Sequence, residues 1–578
     1  MSARRITVFI AAGLMAILAI ACFVAAAFVP ADAGVTMQYE SALFSQDEII
    51  QIDILMDEDD WNDMLENAAE EEYYRCDVVV NGTTFQNVGI RPKGNTSLSA
   101  IVNDPTTDRY SFKLEFDHYV EGQTCFGLDK LVLNNNYADA TNRKEALVYD
   151  MYRFLGADAS LVNYANISVN GESRGVYLAL EGVEDSFLLR NYGAENAKLY
   201  KPEGVGGGDT GGADLNYTDD DTDSYTAIWD GAASETSGKD KKRVIAALKK
   251  IAAGEELEDA MDVDNLLRYM AVHVFCVNDD SLSGNMAHNY YLCEISGKLN
   301  LIPWDYNLAF GGMGGSDASS VVNSPIDGAF TITQFFDALM ENEAYRAQYH
   351  DYLRQLAEEY VGGGAFDEFC DQTSAMIDEL CADDPTAFYT EEETAEAVQT
   401  LYRVVQLRAE SVLGQVEGTI PSTQTEQKDS DALVNASGIT LSVMGTMNMG
   451  GGGNAMPDRA DFDANGGEMP QMPERGEWEG ESEDEDGAKM QTGEETERMQ
   501  PPSTEDMEQM TQTPDDDGAR GAPPQGGFPN AGGSAPFGNE TAETESSVTA
   551  KAAILYGASF AALLVALLLV LCFRRRIG

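Results

Sequence analysis

The chain has 578 residues, 43% of them hydrophobic, which is more than one ordinary domain needs and enough for a sizeable core. Its 98 acidic against 37 basic residues give a formal net charge of -61. Nucleic acid and anionic lipid surfaces repel such a polyanion, so a nucleic-acid partner is set aside.

At the N-terminus, Arg4 and Arg5 precede an apolar run from Ile6 to Val29, and Ala31-Asp32-Ala33 follows as an A-x-A type cleavage pattern. Residues 1–33 are therefore predicted to be a signal peptide or an N-terminal anchor. From about Glu40 to Gly207 the pattern is mostly of strands. "IIQIDILM" alternates, and "DEDDWNDMLENAAEEE" has the acidic start of a helix. "YRCDVVVNGTTFQNVGIRPKG" reads as two strands about an Asn81-Gly82 turn, and "NYANISVNGESRGVYLALEG" as two about Asn170-Gly171. "YSFKLEF" alternates again. "NRKEALVYDMYRFLG" predicts a helix with Leu147, Met151, Phe154 and Leu155 on one face and Gly156 as its stop.

A Gly- and Asp-rich insertion, "EGVGGGDTGGADLNYTDDDTDSY", reads as a mobile surface loop. Beyond it the pattern is helical over Lys241–Ala253, Val263–Val277, Glu343–Tyr360, Ala365–Cys381 and Glu391–Leu413, interrupted by one hairpin, "HNYYLCEISGKLNLIPWDYNLAFGG". The order predicts an α+β fold of two lobes, sheet-rich then helix-rich, with a cleft between them. Residues 416–550 read as a disordered acidic Gly/Pro/Met-rich linker. From 451 to 550 there are 24 acidic and 5 basic residues and 10 of the 18 prolines, too little apolar surface to offset chain entropy. Ala552–Phe573 is free of charge and Arg574–Arg576 follow it. Residues 551–573 are predicted to be a transmembrane helix, with 574–578 as a basic cytoplasmic end and the folded domain on the extracytoplasmic side of the cell membrane. Six cysteines outside the two apolar segments leave disulfide pairing open. Cys370 and Cys381, on one predicted helix, stand about 16 Å apart and cannot pair. With four histidines and no Cys-x-x-Cys, nothing suggests zinc.

The residues with chemistry cluster around the late hairpin. Asp280 follows a helix that ends near Val277, Asn289 opens the hairpin, and Asp305 lies past its far end. Phosphoryl transfer uses an aspartate to orient a hydroxyl, with an amide and a carboxylate as hard oxygen ligands for Mg²⁺ or Mn²⁺. Each residue alone also fits a cap or a turn. With Ser296-Gly297 as the turn, Asp305 opposes His288, so Asn289 and Asp305 face opposite sides unless the ladder breaks near Pro303.

"GIRPKGNTS", "YSFKLEF", "NRKEALVYDMYRFLG", "GVYLALEGVEDSFL", "LYKPEG", "NDDS", "HNYYL" and above all "IPWDYNLAFGG" resemble the spore-coat protein H (CotH) kinases, an atypical protein-kinase family. The resemblance runs from about Ile49 to Gly312, and the CotH kinase-like domain is placed at 40–415. It implies an atypical protein-kinase-like two-lobed fold that binds ATP with Mg²⁺ or Mn²⁺ and phosphorylates Ser or Thr of a protein substrate. Carried across, Asp280 resembles the catalytic aspartate, with Asp279 next door as the competing choice, and Asn289 and Asp305 resemble metal ligands. Lys113 resembles the strand lysine that contacts ATP phosphates and Glu145 its helix partner. Glu181 corresponds to a position beside the adenine. "GIRPKGNTS" departs from G-x-G-x-x-G, but its Arg91 and Lys93 lie where cations would steady phosphate. The alternative reading is a non-catalytic surface-binding or adhesin-type protein on the same fold.

Overall fold

Three two-residue turns set the sheet registers. Asn81 and Gly82 have φ of 47° and 79°, Asn170 and Gly171 51° and 83°, and Ser296 and Gly297 54° and 90°. Positive φ at both central positions matches the right-handed twist of the strands on either side, and Asn and Gly tolerate it. A computed structural model describes residues 34–447, apart from 194–196, 205–209, 285 and 315.

The strands are β1 (Ile50–Leu55), β2 (Tyr74–Val80), β3 (Thr83–Lys93), β4 (Ser111–Glu115), β5 (Lys130–Asn134), β6 (Val162–Val169), β7 (Glu172–Glu181), β8 (Lys198–Tyr200), β9 (Tyr290–Ile295) and β10 (Lys298–Pro303). The first seven close into a barrel in the order β1-β2-β3-β4-β5-β7-β6. This corrects the kinase-like sheet lobe expected from the sequence. Closure comes from a parallel pairing of β1 with β6, from Ile50 opposite Ala165 to Ile54 opposite Val169. Alternation within a strand says which side chains point inward, but not which distant strand its edge will meet.

Alternate residues fill the barrel, among them Ile52, Val78, Ile90, Phe112, Leu114, Leu133, Ile167 and Tyr177. The other face of β6 and β7 carries Tyr164, Val176, Leu178 and Leu180 into a second core shared with the helices. That second burial explains why β7 is apolar on both faces.

Helices of eight or more residues are α1 (Glu58–Glu66), α2 (Lys144–Leu155), α3 (Asp185–Tyr192), α4 (Gly238–Ala253), α5 (Val263–Cys276), α6 (Glu343–Gln355), α7 (Ala365–Ala382) and α8 (Glu391–Val416). On α2, Leu147, Met151 and Leu155 are buried as expected. Phe154 instead sits at the rim, 38% exposed, with its ring edge-on to Tyr360. The β9–β10 hairpin gains a third strand, β8, giving a separate small sheet. All six cysteines of the described residues are free thiols, and Cys370 and Cys381 share α7.

Two stretches read as loop or linker are ordered where described. In the Gly- and Asp-rich insertion Ala213 and Leu215 are buried, and Tyr290 Oη donates to the Ala213 carbonyl at 2.5 Å. Beyond the expected boundary at 415, Leu441 and Met444 are buried in the helical core. The leader at 1–33, the remaining linker, the segment 551–573 and the basic end 574–578 lie outside the described residues. Among those described, no helix is long and apolar enough to cross a membrane.

Candidate active site

Helix α5 stops where its last carbonyls find other donors. Arg408, fully buried on α8, donates to the carbonyls of Val274 (3.0 Å) and Phe275 (3.2 Å), and the Phe310 N–H donates to that of Cys276 (2.7 Å). Val277 then turns left-handed with φ of 51°, an uncommon conformation for a β-branched residue, and the chain leaves the helix as Asn278-Asp279-Asp280. The two aspartates part company here. Asp280 lines a cleft of about 500 Å³ outside the barrel wall, while Asp279 lines a smaller cavity with His273, Ser283 and Ser324. Of the two neighbours only Asp280 lines the larger cleft.

The Asp280 carboxylate is held at both oxygens. Oδ1 lies 2.9 Å from His288 Nε2, and Oδ2 accepts from Asn289 Nδ2 at 3.0 Å. The same amide donates to the Asp280 carbonyl at 2.8 Å. His288 is also 3.6 Å from a Glu203 oxygen. Burial pulls its pKa down, but the bond to Asp280 and the charges of Asp280, Glu203 and Asp305 outweigh this and raise it.

The register of the hairpin is as the turn demanded, Ile295 opposite Lys298, and the ladder ends at Pro303 opposite Tyr290. Asn289 and Asp305 stand one and two residues beyond it, both left-handed, with φ of 58° and 62°. Strand alternation therefore does not apply to them, and both side chains line the same cleft. Asp305 contrasts with Asp280. Among the described residues its carboxylate accepts no hydrogen bond and forms no ion pair. Burial pushes its pKa up, Lys93 opposes that, and the nearby Asp280 charge adds to it. Asn289 Oδ1 is likewise without a donor among the described residues.

The opposite wall is the outer face of β3 and β4. Arg91 pairs across the ladder with Lys113, and Lys93 with Ser111, so these side chains share one face. Glycine at 94 takes φ of 139° and lets the chain leave β3 directly into a short helix, so "GIRPKGNTS" is a strand end and not a glycine-rich loop. Arg91 is tied to Glu71. Lys113 forms no ion pair among the described residues, and burial together with Arg91, Lys130 and Lys93 pulls its pKa down to about 7. It is Lys93 that is linked to Glu145. Lys93 Nζ donates to Asn134 Oδ1 at 2.9 Å, and Asn134 Nδ2 donates to Glu145 Oε2 at 2.8 Å. The expected pairing of Lys113 with Glu145 is replaced by this relay.

Glu181 does not reach the cleft. Fully buried at the end of β7, it accepts from Tyr39 Oη (2.5 Å), Arg190 (2.9 and 2.6 Å) and the Leu161 N–H (3.0 Å). Both oxygens are committed to holding α3 and the N-terminal segment to the barrel, which leaves none for an adenine. Other lining residues went unnoticed in the sequence: His288, Lys201 paired with Glu203, Asn134, Asn136 and Met447. The strings "LYKPEG" and "HNYYL" carried a signal for three of them.

Residues 90–412 match the family described as CotH kinase protein. The chain belongs to the CotH kinase family. This CotH chain is also 27% identical over 205 residues to the inner spore coat protein H of Bacillus subtilis (strain 168), an alignment covering 33% of the chain and 53% of that relative. It thus spans about half the length of the curated relative it matches.

Among the described residues of this CotH chain no three His, Cys, Asp or Glu side chains gather into a metal cluster. Two carboxylates and an amide do meet in the cleft. A divalent cation such as Mg²⁺ takes one or two carboxylates and fills its remaining positions with phosphate oxygens and water, so hard donors with free lone pairs on Asp305 and Asn289 fit it. Zinc would want nitrogen or sulfur, which this set lacks.

Proposed function

We propose that this CotH protein is an ATP-dependent serine/threonine protein kinase acting on a spore-coat or cell-surface type protein, the acceptor class being taken from the name of its relative. The observation that carries the reading is Asp305, a half-buried carboxylate in left-handed backbone that lines the same cleft as Asp280 and has no hydrogen-bond or ion-pair partner among the described residues. Such a backbone and such a charge are both costly, and a bound cation would offset them.

In this reading Asp305 and Asn289 hold Mg²⁺ or Mn²⁺, which when bound neutralises the phosphates and binds their oxygens. Arg91, Lys93 and Lys113 steady the same phosphates from the barrel wall. Asp280, fixed by His288 and Asn289, accepts the proton of the acceptor hydroxyl as its oxygen bonds to the γ-phosphorus. The bond from that phosphorus to the bridging oxygen breaks, and ADP leaves. Lys93, Asn134 and Glu145 keep the cationic wall in register with the Asp305 turn, since the Tyr306 N–H lies 3.4 Å from Glu145 Oε1. For location we propose the extracytoplasmic face of a cell membrane, which cell fractionation and protease accessibility would test.

The test is to incubate the purified protein with γ-labelled ATP and Mg²⁺ or Mn²⁺, beside Asp280→Ala and Asp305→Asn. Wild type is expected to transfer label. Asp280→Ala should lose transfer by about 10³-fold while still binding nucleotide, and Asp305→Asn should lose the metal dependence of binding. Without metal, Asp305→Asn should unfold at a higher temperature than wild type, because it removes a half-buried charge that has no partner among the described residues. A wild type that binds ATP without transferring it would point to the binding-protein reading instead.

A further inference from the structure

Between the Asp280 loop and the Asp305 turn runs a buried polar chain that the proposed chemistry does not use. Tyr152 Oη lies 2.7 Å from Tyr306 Oη, and Tyr306 Oη 3.0 Å from His273 Nδ1. His273 Nε2 lies 2.8 Å from Ser283 Oγ, and Ser283 Oγ 2.7 Å from the Asn278 carbonyl. The carbonyl can only accept, and that assigns every proton in the row. Ser283 uses its one hydroxyl proton on Asn278, so it accepts from His273, and Nε2 carries the ring hydrogen. Burial pushes the His273 pKa down to about 3, which keeps the ring neutral and Nδ1 bare. Nδ1 therefore accepts from Tyr306, and Tyr306 accepts from Tyr152.

The chain ends at Asn278, two residues before Asp280, and passes through Tyr306, the residue after Asp305. Two bonds run beside it. Asn278 Nδ2 donates to the Asp305 carbonyl at 3.4 Å, and the Phe310 N–H donates to Cys276. An aliphatic side chain would fill the same space, but only a side chain with one donor and one acceptor to offer satisfies both Ser283 and Tyr306.

We infer that His273 is a positioning residue: as its Nε2–H form it locks the Asp280 loop to the Asp305 turn, so that both carboxylates meet one ligand at a fixed separation. This rests on the reading of Asp280 and Asp305 given above. A small misplacement of either group costs rate and leaves binding by the barrel wall in place.

In the full chain, His273→Leu, His273→Gln, Ser283→Ala and Tyr306→Phe are compared with wild type for Tm, kcat and the KM for ATP. His273→Leu is expected to lower kcat about 100-fold with KM held within about threefold. His273→Gln, whose amide offers one N–H and one carbonyl, should recover most of that loss. Ser283→Ala, which removes both the acceptor of the His273 ring hydrogen and the donor to Asn278, should lower Tm modestly and lose about tenfold in kcat once corrected for folded fraction. If His273→Leu does not fold, Ser283→Ala and Tyr306→Phe decide. A wild type without transfer overturns the kinase reading before any variant is made. An active wild type matched by these variants, once corrected for folded fraction, overturns the positioning role alone. So does a ¹⁵N spectrum with the ring hydrogen on Nδ1.

Discussion

Glu145 offers a test that needs no substrate. It is 3% exposed, and burial together with the Asp305 charge raises its pKa from the ordinary 4.5 to about 7, against the opposing effects of Asn134 and Lys93. A difference of that size corresponds to about 3 kcal/mol between the two protonation states. The unfolded chain releases this proton near pH 4.5 and the folded protein near 7, so between them the folded state binds more protons. Stability therefore falls as pH rises through that window, by up to about 1.4 kcal/mol per unit, and levels off above it. Glu145→Gln abolishes the titration. The amide still accepts from Asn134 but gives up one oxygen, that nearest the Tyr306 N–H, which costs about 1 kcal/mol at any pH. The variant should match wild type to within about 0.5 kcal/mol at pH 5, where Glu145 has already begun to ionise in the unfolded chain, and be about 2 kcal/mol more stable at pH 8. Urea unfolding followed by tryptophan fluorescence in metal-free buffer from pH 5 to 8 measures the divergence. A difference that stays constant within about 0.5 kcal/mol over this range would refute the burial argument for Glu145.

Two further outcomes follow from buried ion pairs. Asp384, in the turn after α7, pairs with Arg109 at 2.7 Å with both side chains 3% exposed, and fits only because Gly175 has no side chain there. Asp384→Ala strands the guanidinium, which keeps its bonds to the carbonyls of Asn135, Arg174 and Val176, so the loss should lie near about 3 kcal/mol by urea unfolding. A loss below about 1 kcal/mol would show that the barrel and α7 are joined elsewhere. Glu181→Gln should also destabilise by about 3 kcal/mol, with nucleotide affinity per folded molecule unchanged. Tenfold weaker ATP binding at unchanged stability would put Glu181 back beside the nucleotide.

The candidate site was legible as a group of residues before it was legible as a place. The order Asp280, Asn289, Asp305 around a hairpin was enough to gather them, and the register argument required the ladder to stop near Pro303, which it does. The partner of Glu145 was not legible, because Lys93 and Lys113 stand on the same face of neighbouring strands and only the position of Asn134 selects between them. Glu181 gave no sign of its burial either. Its partners Tyr39 and Arg190 are remote in sequence or on another element, and an acidic residue at a strand end reads equally well as a ligand.

Local periodicity and turn chemistry, which depend on neighbours a few residues apart, decided the hairpins at Asn81-Gly82, Asn170-Gly171 and Ser296-Gly297, the long helices and the stop at Gly156. Those are properties of short stretches of chain, so the amino-acid order alone carries them. The closure of the barrel, the return of Met447 to the rim of the cleft and the pairing of loops through His273 join residues from about 30 to more than 100 positions apart. Such contacts depend on which edges and faces remain free once local elements have formed, and that was settled only when the whole core packed.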